Sequence, residues 1–176
     1  MCGIVGYIGS QNAQNFVMDG LEKLEYRGYD SAGIAVNTGE EKFSIVKREG
    51  RLQNLADVLT ETPLEGTVAI GHTRWATHGK PSDENSHPHF NREKTLVVVH
   101  NGIIENYLEL KRELIAKGYE FNSETDTEVV GHLLDELYEG DLLEATKKLI
   151  KIIKGAYALG IMAVNEPDRI IAVRKE

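Results

Sequence analysis

Cys2 is the one cysteine among 176 residues, and loss of Met1 would leave it first in the chain. A terminal cysteine carries a thiol and a free α-amine on the same residue. The amine's ordinary pKa of about 7.7–8.0 leaves it partly unprotonated near neutrality, so it can serve as general base for the adjacent nucleophile. Cysteine is small, and Met1 is the kind of initiator that processing removes. A buried, inert thiol on an edge strand is the plain alternative, because free cysteine is among the most buried residue types. Three further places supply chemistry. Arg74, in the block HTRWATHG at 72–79, has the planar fork that grips a carboxylate in two places, which Lys could not do; a surface salt bridge would explain it equally. Asn101-Gly102 offers a side-chain amide beside an unhindered backbone N–H, the pair needed for an oxyanion hole, or an ordinary Asn-Gly turn. Asp126 can pair with an ammonium, or simply favour a helix N-terminus. A thiol, an oxyanion hole, a carboxylate binder and an ammonium binder together describe a site for an amino acid whose side-chain carbonyl is attacked.

Other chemistries lack their signatures. His72, His78, His87 and His89 fall in one polar stretch, but neither cysteine ligands nor a helical H-x-x-x-H pair accompanies them, so no metal is expected. The glycines of residues 2–9 do not form G-x-G-x-x-G, and no G-x-x-x-x-G-K-[ST] or G-x-S-x-G is present. No cofactor is expected.

Elements must bring these residues together. Apolar spacing predicts strands at 2–9, 31–36, 43–47, 68–71, 96–99, 156–164 and 169–173. It predicts helices at 13–25, with Phe16, Val17, Leu21 and Leu24 facing inward, and at 52–59, 104–117 and 141–153. A further helix is expected from 125, where Thr125-Asp126-Thr127-Glu128 has the spacing of a capping box. Gly118 reads as a helix stop. Strands in hairpin-like pairs with helices between favour packed antiparallel sheets covered by helices. The size fits one domain. Hydrophobic content of 41% and charged content of 27% are those of a globular protein, and a net charge of −8 argues against a nucleic-acid partner. One cysteine excludes an internal disulfide and fits a reducing compartment, and no run of about 18 apolar residues indicates a membrane span, so a cytoplasmic protein is expected. The chain stops two or three residues after a strand, which reads as a piece cut from something longer.

At this point five blocks carry a resemblance: MCGIVG at 1–6, LEYRGYDSAG at 24–33, HTRWATHG at 72–79, VVVHNGIIEN at 97–106 and SETDTE at 123–128. In this order they closely resemble the glutaminase domains of the glutamine–fructose-6-phosphate aminotransferases (isomerizing), also called glucosamine-6-phosphate synthases. The opening alone would be shared with other class II glutamine amidotransferases. The resemblance implies an α+β fold of the N-terminal nucleophile hydrolase type, a four-layer αββα sandwich of two antiparallel sheets. It implies a glutaminase domain over 1–176, truncated at its C-terminus, with the sugar-isomerase domains of the full enzyme absent. The implied reaction is hydrolysis of L-glutamine to glutamate and ammonia through an N-terminal cysteine thioester. In the full enzyme that ammonia converts fructose 6-phosphate to glucosamine 6-phosphate.

By the same resemblance Cys2 is the nucleophile, with its own α-amine as base. Asn101 and the N–H of Gly102 form the oxyanion hole. Arg74 clamps the glutamine α-carboxylate, assisted by Thr77 and His78, and Asp126 pairs with the α-ammonium. Trp75 belongs to a mobile loop that closes over the site and helps gate an ammonia channel. Arg27 and Gly28 are structural support. The implied partners are L-glutamine and the C-terminal sugar-isomerase domains of the same polypeptide, in a homo-oligomer, with no nucleic acid and no membrane. The rival readings are the glutaminase domain of another class II amidotransferase and a non-catalytic amino-acid-binding module.

Overall fold

Successive side chains of a strand point to opposite faces, and in this chain both faces of most strands are apolar, so each sheet must be covered twice. The computed structural model describes residues 2–176; the expected removal of Met1 lies outside the described residues. Strands β1 (Gly3–Ile8), β2 (Ser31–Asn37), β3 (Ser44–Glu49) and β4 (Val68–Arg74) form one antiparallel sheet in the order β1-β4-β2-β3. Strands β5 (His89–Phe90), β6 (Leu96–Gly102), β7 (Tyr157–Ala163) and β8 (Ile171–Lys175) form a second, in chain order.

On the outer face of the first sheet, Ala32, Ile34, Val36 and Ala69 pack against Ala13, Val17 and Leu21 of α1 (Ala13–Leu24) and Leu52, Leu55 and Leu59 of α2 (Leu52–Glu61). The alternate residues Ala35, Val68 and Ile70 face Val97, Val99 and Met162 of the second sheet. Val98, Leu159 and Ile161 turn the other way, onto α3 (Tyr107–Ala116), α4 (Glu128–Leu137) and α5 (Leu142–Ile152). The result is the expected four-layer αββα sandwich. Each fully buried Leu or Ile in these three interfaces stabilises it by about 1.5–3 kcal/mol. A side chain at Gly160 would stand 2.5 Å from the Ile70 Cδ1, so Ile70 of the first sheet packs directly over this glycine of the second.

Local signals place the helix ends. The Asn12 side chain caps α1 by accepting from Asn15 N, and Asp141 caps α5 by accepting from Leu143 N and Glu144 N. Gly118, at φ +93°, ends α3, as expected. Four expectations need correction. Phe16 is 47% exposed on the outer side of α1, where it stacks on Tyr7 at 4.3 Å instead of entering the core. The helix expected at 104 begins at Tyr107, because Ile104 and Glu105 give their N–H groups to Asp126 and the Lys154 carbonyl. No capping box forms at 125–128. Helix α4 starts at Glu128, whose carboxylate accepts instead from the N–H groups of Asn122 and Ser123 and from the Ser123 hydroxyl. Lastly, β4 and β6 run three residues beyond their apolar runs, through His72-Thr73-Arg74 and His100-Asn101-Gly102. Pairing with both β1 and β2 keeps β4 extended where polarity alone reads as loop.

Candidate active site

The polar ends of β4 and β6 lie beside the start of β1. Gly3 sits opposite Thr73, whose hydroxyl accepts from Gly3 N at 3.1 Å and anchors the N-terminal segment. The half-buried Cys2 thiol receives the N–H of Trp75 at 3.1 Å, and the Trp75 carbonyl lies 3.6 Å from the same sulfur. Asn101 directs Nδ2 to the Cys2 carbonyl at 3.3 Å. Its Oδ1 is 2.8 Å from His72 Nε2, which is also 3.0 Å from the His100 carbonyl. Ile103 N donates to the Ala156 carbonyl; by the alternation of an antiparallel ladder, the preceding Gly102 N–H is directed away from β7. Gly102 has φ +117°, and a Cβ there would stand 2.2 Å from the Ala156 carbonyl oxygen, so only glycine fits.

Arg74 is 3% exposed, which rules out the surface salt bridge weighed above. Its guanidinium donates to the carbonyls of His78, Gly79 and Lys80 and so draws the 75–80 loop over β4. Burial lowers its pKa, and Asp30 and other nearby carboxylates oppose that shift, so it stays cationic. Asp30 Oδ2 holds the same loop from the other side, accepting from Ala76 N at 2.6 Å. Trp75, 55% exposed, lies over Gly28, where an added Cβ would be 3.2 Å from the indole. Thr77 Oγ1 lies 3.3 Å from His78 Nδ1, and the His78 ring meets Tyr107 edge-on at 5.2 Å. Asp126 is buried and accepts from Ile104 N at 2.8 Å through Oδ2, while Oδ1 is 4.0 Å from His100 Nδ1.

Cys2, Arg74, Trp75, Thr77, His78, Gly102 and Asp126 all line one cavity of about 260 Å³, a volume that suits a single amino acid. Asn101 stands at its edge through its contact with Cys2. The cavity therefore brings a thiol, a glycine backbone, a guanidinium and a carboxylate into one small space. A larger hollow of about 720 Å³ opens elsewhere, between Lys47, Phe90, Tyr119 and His132. It is lined by neither Cys2 nor Asn101-Gly102, so the smaller cavity is the candidate site.

Of the four histidines considered for a metal, His78 and His87 line the cavity, His78 half-exposed and His87 buried. His72, His87 and His89, joined by His100, form a buried row with neighbouring ring centroids 4.3 and 4.8 Å apart. Burial holds His72 at about 4, and burial with neighbouring positive groups pushes His87 and His89 well down; burial also lowers His100. Thr127 bridges His87 and His100, and Thr125 meets His89. Among the described residues no cluster of three or more His, Cys, Asp or Glu could hold a metal ion. His72 and Asp30 hold Asn101 and the 75–80 loop, contacts that sequence reasoning did not assign to them. The signal for His72 was its two-residue spacing from Arg74, which puts both on one face of a strand; that for Asp30 was its place in the LEYRGYDSAG block.

A family profile described as a glutamine amidotransferase domain matches residues 72–176. The chain is 57% identical over its whole length to the glutamine–fructose-6-phosphate aminotransferase (isomerizing) of Clostridium perfringens, covering 29% of that protein. It is 56% identical over 99% of its length to the same-named protein of Thermus thermophilus, covering 28%. The chain thus spans less than a third of the curated relatives it matches. Among solved structures, a glutamine phosphoribosylpyrophosphate amidotransferase from B. subtilis superimposes with a TM-score of 0.79 at 32% identity, over 93% of this chain and 35% of that one. A second, described as the allosteric regulatory enzyme of purine biosynthesis, gives 0.81 at 32%, over 93% of this chain and 36% of that one. The αββα sandwich is that of the N-terminal nucleophile hydrolases.

Proposed function

Because the chain belongs to the glutamine amidotransferase domain family, we propose that it hydrolyses L-glutamine through Cys2. The α-amine of Cys2, free once Met1 is lost, takes the thiol proton, and the sulfur adds to the carbon of the side-chain amide. Negative charge collects on the amide oxygen, where Asn101 Nδ2 and the Gly102 N–H hold it. On collapse the amide nitrogen takes the proton held by the Cys2 amine and leaves as ammonia, and a γ-glutamyl thioester remains. Water, deprotonated by the same amine, adds to the thioester, and glutamate departs as the thiol is restored. Arg74, with Thr77 and His78, receives the α-carboxylate, Asp126 receives the α-ammonium, and Trp75 covers the bound amino acid.

The observation that carries this reading is the convergence of the Cys2 thiol, Arg74, Gly102 and Asp126 on one cavity of about 260 Å³. Relatives more than 55% identical support a longer setting. There the chain is the glutaminase part, completed by residues beyond 176, of a cytoplasmic homo-oligomeric enzyme. Its sugar-isomerase domains accept the ammonia and convert fructose 6-phosphate to glucosamine 6-phosphate. No described helix is long and apolar enough to cross a membrane.

Intact mass before and after an electrophilic glutamine analogue tests the reading. The expected result is a chain lacking Met1 that gains one adduct, lost in Cys2→Ala and blocked by excess glutamine. A processed, folded chain that takes no adduct and releases no glutamate would leave only an amino-acid-binding role.

A further inference from the structure

Two contacts of one imidazole determine which way the Asn101 amide points. His72 Nε2 lies 3.0 Å from the His100 carbonyl oxygen, which can only accept. The proton of the neutral ring must therefore sit on Nε2, and Nδ1, which has no hydrogen-bond partner, is the bare nitrogen. An Nε2–H needs an acceptor from Asn101 as well, so Oδ1 is the atom at 2.8 Å and Nδ2 is left aimed at Cys2. The opposite amide orientation would bring two donors together at His72 and two acceptors together at the Cys2 carbonyl. The ring itself has little freedom. It is fully buried, stacks on His87 at 4.3 Å, and rises from β4 between Gly71 and Thr73.

We propose that His72 is a positioning residue for glutamine hydrolysis: its Nε2–H, locked by the His100 carbonyl, holds Asn101 Oδ1 and so keeps Nδ2 directed at the oxyanion. The assignment rests on the glutaminase reading above. Burial keeps the ring neutral well below physiological pH, so the donor persists through turnover and no proton leaves His72. Charge on the substrate oxygen polarises the Asn101 amide, and the Nε2–H···Oδ1 bond strengthens as it does so. His72 thus acts on the transition state through Asn101 without touching glutamine. One strand supports two parts of the chemistry, since His72 and Arg74, two residues apart, share a face of β4.

Steady-state glutamate release from the full chain tests this. His72→Phe keeps a ring against His87 but removes the donor. It is expected to lower kcat roughly 10- to 100-fold, below the 10²–10³ typical of losing an oxyanion donor outright, with KM for glutamine within about twofold by the same reasoning, since uniform binding is untouched. His72→Gln places an amide N–H near the position of Nε2 and should recover most of that loss. His72→Asn, one methylene shorter, should not. In an Asn101→Ala background His72→Phe should have no further effect. Wild-type kcat in His72→Phe, equal kcat in the Gln and Asn variants, or losses that multiply in the double variant would each overturn the assignment. The Gln/Asn comparison decides if the Phe variant fails to fold. A wild-type chain that releases no glutamate removes the glutaminase reading and this assignment with it, whereas an active wild type with an unaffected His72→Phe removes this assignment alone.

Discussion

Asn101 and Arg74 divide the proposed reaction between catalysis and binding, and kinetics should separate them. Asn101→Ala removes a donor that matters once charge develops, so kcat should fall about 10²–10³-fold with KM for glutamine little changed. Unchanged turnover would take Asn101 out of the mechanism. Arg74→Ala should raise KM, and for two reasons. The α-carboxylate loses its proposed counter-charge, and the carbonyls of His78, Gly79 and Lys80 lose their donor, which loosens the loop bearing Thr77 and His78. Arg74→Lys should not restore binding, because a point charge cannot reach several carbonyls and a carboxylate together. A wild-type KM in either Arg74 variant would contradict the clamp. At this scale much was legible. Cys2, Asn101, Gly102, Arg74 and Asp126 were all singled out from residue type and motif. His72 was read only as a metal candidate, since nothing in a linear sequence shows that its partner is an amide 29 residues away.

Among the elements, the constraint falls where backbone meets backbone. Gly33, in the middle of β2, lies under the loop that joins β4 to β5. A Cβ there would stand 2.0 Å from the His87 carbonyl oxygen, which is backbone and cannot rotate aside. Gly33→Ala should therefore displace the 81–88 segment and with it the His87–Thr127 bond. The expected cost is about 1–3 kcal/mol, as for other overpacked sites, read as a lower urea midpoint. A variant as stable as wild type would show that the loop relaxes freely. The element types and most boundaries followed from apolar periodicity. Apart from Phe16 and the helix start at 104, the errors lie at 72–74, 100–102 and 125–128, where polar residues continue strands or enter a turn. Periodicity fails there because these segments are held by strand pairing and polar contacts and not by an apolar face.

The whole molecule carries a pH response that follows from its row of buried histidines. His72, His87, His89 and His100 are each held down by burial, with His72 at about 4. In the unfolded chain histidines protonate near 6.5, so below that pH the unfolded state binds more protons than the folded one. Their contribution to stability is complete above about 6.5 and is lost progressively as pH falls below it, with the folded His72 taking up its proton only near about 4. Urea unfolding should accordingly give a flat stability above pH 7 and a decline beginning before the carboxylates titrate. Constant stability down to pH 4.5 would mean that the row is hydrated.

Residue types and their order pointed to antiparallel sheets covered by helices and to the roles open to Cys2 and the polar blocks, because a terminal cysteine, a guanidinium fork and strand periodicity are local properties, while the four-layer αββα class came from the resemblance that the motif blocks carry. Which cavity these groups share, which way the Asn101 amide faces and which histidines are buried were decided by the tertiary structure alone. Those outcomes depend on pairing β4 between β1 and β2 and stacking the second sheet upon it, contacts between residues far apart in the chain. The same packing removes water from His72 and leaves the Asn101 amide a single orientation.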